Sequence, residues 1–266
     1  MPTKIKNIQL TNWDLLVLKY LYESYFLHRD HLMKFFPGAD GKPRSYNAIN
    51  VRIHKLKQAG LIKTEPCPIS KGNVILGNRS AIKYLRYEEI SNRISKLRRN
   101  KNYIPQEIPT YLYRRQPSLN LATYDHDYKV NELRFRMEDM GADYWIPEKI
   151  IRRKKLFDCT TPDGLFQKHN EVITVEMEKT PKAYYTDIFK QFSKEKFDRI
   201  IYFYTHDRIK NVINRDLDPK KFDTLEGMQL GHKLYTINYY DFVNEKNMTA
   251  ENYHGEKLNI REFLKS

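Results

Sequence analysis

Thr161–Lys179 reads TPDGLFQKHNEVITVEMEK: a Pro-Asp-Gly turn, then an apolar run ending in two glutamates that flank one methionine. Side chains two apart share a face of a strand, so the spacing points Glu176 and Glu178 one way and Ile173, Val175 and Met177 the other. With Asp163 in the turn feeding that strand, three acids gather on one short element. Like charges so placed repel unless a cation or a hydrogen-bond donor sits among them. Oxygen donors of this kind suit Mg2+ or Mn2+, which keep several waters and polarise a phosphate. The plainer alternative is that the acids face solvent or pair with nearby lysines such as Lys154 and Lys179.

The flanking segments extend the pattern on both sides. HDYKVNELRFRMEDMGA (126–142) predicts a helix with Val130, Leu133, Met137 and Met140 as its apolar stripe and Gly141 as its stop. DYWIPEKIIRRKKLF (143–157) reads as extended, a second strand is expected before the Pro-Asp-Gly turn, and VITVEM is a third. KAYYTDIFKQFSKEKF predicts an amphipathic helix through Ile188, Phe189 and Phe192, followed by the strand RIIYFYT and later another in KLYTINYYDF. Helix, three strands, helix and strand make an α/β core with a mixed sheet.

At 266 residues and 40% hydrophobic content, the chain has material for one large domain or two modest ones. No apolar stretch approaches bilayer length, and MPTKIKNIQLTNWD lacks the hydrophobic block of a secretion signal, so a cytoplasmic protein without a membrane partner is expected. Cys67 and Cys159 are far apart and lack CxxC spacing, which argues for neither a disulfide framework nor a zinc site.

The formal charge of +14 is unevenly placed: residues 1–120 hold 22 basic and 8 acidic side chains, and the remainder holds 25 of each. A positive field confined to one part of a chain is what a polyanion-binding module presents, because each Lys or Arg that pairs with a phosphate releases counterions. In that basic half, TNWDLLVLKYLYESYFL predicts a helix capped by Thr11 with Leu15, Leu18 and Leu21 or Tyr22 at helical spacing. HRDHLMKFF is a second, short helix ending at Pro37 and Gly38. SYNAINVRIHKLKQAGLI is a third, with Ile49, Ile53 and Leu56 on one face and Gly60 as its stop. Arg44, Asn47, Asn50, His54 and Lys55 fall opposite that stripe, side chains suited to base edges and phosphates of a major groove.

LIKTEPCPI and NVILG follow as two extended pieces joined by SKGN, a tight turn carrying Lys71. This is the element order of a winged helix-turn-helix. The expected domains are 1–85, a winged helix binding double-stranded DNA; 86–117, a basic helical connector; and 118–266, the α/β core. In the connector, Arg93, Lys96, Arg98, Arg99 and Lys101 either extend the DNA-facing surface or form a solvated face. Winged helices frequently bind palindromes as dimers, so a homodimer is an open expectation.

An Asp after a Pro, an apolar strand and Glu-x-Glu in αβββαβ order resemble the core of the PD-(D/E)XK nuclease-like superfamily, the restriction-endonuclease-like fold. Behind a winged helix, with HDYKVNEL opening the core, VITVEMEKT in its strand and a helix carrying Lys190 after it, the chain resembles the plasmid replication-relaxation family over nearly all of residues 10–240. The resemblance implies an α/β (α+β overall) chain whose Asp163 and Glu176 bind Mg2+ or Mn2+. Glu178 stands where the superfamily usually has lysine, and Lys179 cannot replace it by register because its side chain leaves the opposite face. A glutamate there acts on the attacking water as a base in some restriction enzymes and accompanies lost activity elsewhere. Lys190 or Lys194 is then the candidate for the missing positive charge. His126 and Asn131 match the helix motif, where they orient a metal-bound group or cap and pack, and Glu148 is a candidate additional ligand.

The implied function is that of a DNA-binding protein of a plasmid or other mobile element, acting in replication, relaxation or transfer alongside other replication or transfer proteins. Two versions separate: a metal-dependent endonuclease or nickase using Asp163, Glu176, Glu178 and Lys190, and a non-catalytic transcriptional regulator with a degenerate nuclease fold. The chain carries no Walker-type glycine loop, which sets aside nucleotide phosphate transfer.

Overall fold

The computed structural model describes residues 4–5, 8–37, 42, 44–67, 69, 72–78, 80–81 and 119–266, a mixed α+β chain with eleven α-helices among those residues. The chain divides into two compact units, and among the described residues the division falls between Asn131 and Glu132. The connector expected at 86–117 lies outside the described residues.

The first unit opens with an antiparallel pair, β1 (Lys4–Ile5) and β2 (Ile8–Gln9). Next come α1 (Asn12–Glu23), β3 (Leu27–His28), α2 (Arg29–Phe35) and α3 (Tyr46–Gln58). β4 (Ile62–Pro66) and β5 (Asn73–Gly77) join β3 in an antiparallel sheet of order β3-β5-β4. Thr11 caps α1 as expected: its hydroxyl accepts from the Asp14 amide at 3.3 Å, and the Asp14 carboxylate accepts from the Thr11 amide at 2.6 Å. Trp13, Val17, Leu18 and Leu21 are buried, and Leu15 is half-buried. Gly60, at φ +70°, ends α3 as a glycine stop should, with the Leu61 amide returning to the Leu56 carbonyl at 3.0 Å. Of the predicted inner stripe of α3, Ile49 and Leu56 are buried and Ile53 is half-buried.

Helix α4 (Tyr124–Asp139) begins in this unit. Tyr124 stacks on Phe26 with ring centroids 4.8 Å apart, in a cluster with Cys67, Val74 and Leu76. Asn131 donates to the Phe26 carbonyl at 2.9 Å.

The second unit continues with β6 (Asp143–Pro147), α5 (Glu148–Lys154), β7 (Gly164–Lys168), β8 (Glu171–Glu178), α6 (Thr186–Phe192) and β9 (Arg199–Tyr204). Then come α7 (Asp207–Asp216), α8 (Leu225–Met228), α9 (Leu230–Lys233), β10 (Leu234–Asn238), α10 (Tyr239–Val243), β11 (Thr249–Asn252), β12 (Lys257–Asn259) and α11 (Ile260–Lys265). A seven-stranded mixed sheet runs β12-β11-β10-β9-β8-β7-β6. β8, β9 and β10 are mutually parallel, and the outer pairings are antiparallel.

Two segments differ from what the sequence predicts. Residues 148–154 are helical rather than extended: Ile150 and Ile151 bury on one face, Glu148 pairs with Arg152 one turn on, and Lys155 at φ +48° stops the turn. The second strand follows the Pro-Asp-Gly turn instead of preceding it. Its hairpin partner β8 is reached through His169 and Asn170, both at positive φ (+49° and +66°), which is the backbone of a tight two-residue hairpin loop. Gly164 is required less by the turn than by packing, since a Cβ there would lie 2.1 Å from the Trp145 ring. Among the described residues no helix is long and apolar enough to cross a membrane.

Candidate nucleic-acid interface and carboxylate site

On α3 the helical repeat of 3.6 residues sets Asn47, Val51, His54 and Gln58 along the line opposite the buried Ile49 and Leu56. All four are exposed. Asn50 is half-buried at the margin, and Lys55 lines a cleft of about 720 Å³ with Gln9, Thr11 and Arg52. Arg44 is placed differently from expectation. It precedes the helix, and its guanidinium lies 4.9 Å from the Trp13 ring centroid, a stacking contact that ties it to α1. Lys71, Arg98 and Arg99 lie outside the described residues.

Two cations that sequence reasoning passed over hold this surface. Arg52 donates its Nε to Asp14 at 2.6 Å and an Nη to the Gln9 carbonyl at 2.7 Å, fastening α3 to α1 and β2. The carboxylate hydrogen bond raises the Arg52 guanidinium pKa above its ordinary value. Arg29, at the start of α2, stacks on Tyr46 at 4.4 Å and donates to its hydroxyl. The Arg29 guanidinium also lies 3.2 Å from where a Cβ on Gly72, before β5, would be. His31 of α2 is buried, with Tyr128 packed on its ring at 4.4 Å. Burial, helped by His28 and Lys34, holds the imidazole well below its usual pKa.

In the second unit the register sets the acids on one face. Gly164 pairs with Val175, which brings the preceding Asp163 opposite Glu176, and Asp163 Oδ2 accepts from the Met177 amide at 2.8 Å. Glu176 is level with Tyr202 of β9, and Glu178 with Tyr204. Ile173, Val175 and Met177 are buried on the opposite face, as alternation predicts. Glu178 is largely buried and pairs with Lys182, from the loop that leads into α6. Burial lowers the Lys182 pKa, while Glu176 and Asp163 draw it the other way, so the ammonium stands within electrostatic reach of all three carboxylates. Burial also pushes the Tyr202 phenol well above its usual value, with Glu176, Tyr185 and Asp163 adding to the effect.

Lys182 is a cation that this arrangement brings to the acids, whereas the expected Lys190 pairs elsewhere. Lys190 stands 3.9 Å from Asp223, and Lys194 lines a separate 480 Å³ cavity with Glu195 and Lys233. Nothing in the sequence pattern singles out Lys182, because its position depends on α7. There the buried Asp216 accepts from the Tyr185 amide at 2.6 Å, and Arg215 donates to the Ala183 carbonyl at 2.7 Å, clamping the loop that carries Lys182. Desolvation works to raise the Asp216 pKa, but hydrogen bonds from Arg215, Lys221 and the Tyr185 amide outweigh it and hold the group at about 2.

The remaining candidates make contacts of their own. Glu148 pairs with Arg152 at the start of α5, and Asn131 is buried in its bond to Phe26. His126 Nδ1 lies 3.3 Å from Asp127, one residue along α4. Among the described residues, no group of three His, Cys, Asp or Glu side chains is placed to hold a metal ion. Asp163 and Glu176 remain as a two-carboxylate pair of the hard oxygen type that Mg2+ accepts together with substrate phosphates and water. The chain matches no protein-family model, no curated protein and no solved structure.

Proposed function

We propose that this chain is a duplex-DNA-binding protein whose first unit is a winged helix-turn-helix and whose second is a PD-(D/E)XK nuclease-like core. On this reading it is related to the plasmid replication-relaxation family and serves a plasmid or other mobile element in replication, relaxation or transfer. The observation that carries it is α3: a capped, 13-residue helix with Asn47, His54 and Gln58 exposed along one line, in the half of the chain that holds the whole positive surplus. Its support includes the antiparallel pair β4 and β5 that follows α3, the hairpin expected of a wing. A mobility shift with the full chain on duplex DNA tests it. Wild type is retarded, and Asn47→Ala/His54→Ala binds at least tenfold more weakly, each lost base contact being worth about 1–3 kcal/mol. Equal retardation of the two proteins removes the assignment of α3.

A second reading, metal-dependent nicking, is favoured by one observation: Lys182 among Asp163, Glu176 and Glu178. Asp163 and Glu176 would hold Mg2+ or Mn2+, which supplies charge neutralisation at a phosphodiester. Lys182 would offset charge on the phosphate, and Glu178 would orient water. Incubating supercoiled plasmid with either metal separates this reading from the non-catalytic regulator. Nicking that is abolished by Asp163→Ala and by Lys182→Ala supports it, and intact plasmid throughout leaves the binding protein alone.

A further inference from the structure

At the centre of the outer line of α3, between Asn47 and His54, sits Val51, with 55% of its surface exposed. Nothing in the helix itself asks for valine there. A β-branched residue is a poorer helix former than the Lys, Arg, Gln or Ala found elsewhere on α3, and at this position most of its surface lies outside the core. The residues that share its line are polar. An isolated aliphatic knob at the middle of a surface otherwise built for hydrogen bonding has one natural complement in a DNA major groove: the C5-methyl group of a pyrimidine.

We infer that Val51 is a specificity-determining residue that packs on a pyrimidine C5-methyl, with Asn47 reading a purine nearby. This rests on the proposed duplex-DNA reading of α3. Asn47 and Val51 are four residues apart, about 6 Å along the helix axis. Base pairs stack every 3.4 Å or so, which puts the two contacts on base pairs one or two steps apart. Asparagine pairs bidentately with adenine through its N6 and N7 edge. The target therefore contains an adenine within about two base pairs of a methyl-bearing pyrimidine. That methyl belongs to thymine or to 5-methylcytosine, which present the same apolar surface at the same carbon.

The test selects preferred sites from a randomised duplex library with the full-length chain, then measures affinity on single-position variants of the winner. Replacing the contacted thymine by uracil removes only the methyl. It weakens wild type about fourfold, the worth of one buried methyl-sized group, and leaves Val51→Ala unchanged. If the contacted pyrimidine is instead a cytosine, 5-methylcytosine strengthens wild type by a similar factor and again does nothing for Val51→Ala. Affinity indifferent to both exchanges at every pyrimidine overturns the role of Val51 while the DNA reading stands. An equal response in wild type and Val51→Ala overturns it as well, because another residue then reads the methyl. Duplexes bound with no sequence enriched overturn the role of Val51, and no binding of any duplex overturns the DNA reading itself.

Discussion

Replacing Asp216 by Asn removes a charge that the second unit uses to hold the loop between β8 and α6. Asp216 has no exposed surface, and it accepts from Arg215, Lys221 and the Tyr185 amide at 2.9, 2.8 and 2.6 Å. Its pKa falls from 3.8 to about 2 on folding. Each tenfold change in proton affinity is worth about 1.4 kcal/mol, so the carboxylate contributes roughly 2 kcal/mol at neutral pH. The contribution is complete above the unfolded value near 4, falls to about half at pH 3, and disappears below the folded value near 2. Urea denaturation reads it. A Trp13→Phe background leaves Trp145 as the only tryptophan, so fluorescence follows the second unit. Asp216→Asn should lower stability by about 2 kcal/mol at pH 7 and by about half of that at pH 3. A deficit that is absent at pH 7, or that does not shrink in acid, refutes the clamp.

Further outcomes follow from neighbouring contacts. Gly164→Ala drives a methyl into the Trp145 ring and should destabilise the second unit by about 2 kcal/mol or more, with a changed near-ultraviolet signal from Trp145. Arg52→Ala leaves the fully buried Asp14 carboxylate with its Thr11 bonds but without a cation and should cost about 3 kcal/mol in thermal unfolding of the first unit, where an exposed ion pair would cost almost nothing. Because burial holds the His31 pKa well below 6.5, its unfolded imidazole takes up a proton first as pH falls. The first unit should therefore lose stability from about pH 6.5 downward, seen by Trp13 fluorescence in a Trp145→Phe background. A flat profile between pH 7.5 and 5 contradicts that burial.

Much of the fold was legible because its signals are local. Thr11 three residues before Asp14, and Gly60 after an amphipathic run, fix helix ends through bonds made within one turn. Alternation along β8 placed Glu176 and Glu178 for the same reason. What was missed depends on distant partners or on turns without a standard residue pair. EKIIRRK looked extended because paired isoleucines favour strands, yet Ile150 and Ile151 bury together on a short helix. The hairpin at His169–Asn170 lacks the glycine that usually marks two positive φ angles, so β7 was read on the wrong side of the turn. Arg44 sits on a predicted outer face by spacing alone, but Trp13, thirty residues earlier, captures it. Lys182 is brought to the acids by a loop that Asp216 and Arg215 hold from thirty residues downstream, which no local pattern encodes.

Under the proposed function, the basic first unit grips duplex DNA. Fluorescence anisotropy of a labelled duplex, titrated with the full-length chain over a salt series, measures this directly. Affinity should fall at least tenfold between about 50 and 200 mM salt, as phosphate-bound counterions cease to drive association. Failure to bind at the lowest salt, or an affinity indifferent to salt, contradicts the account.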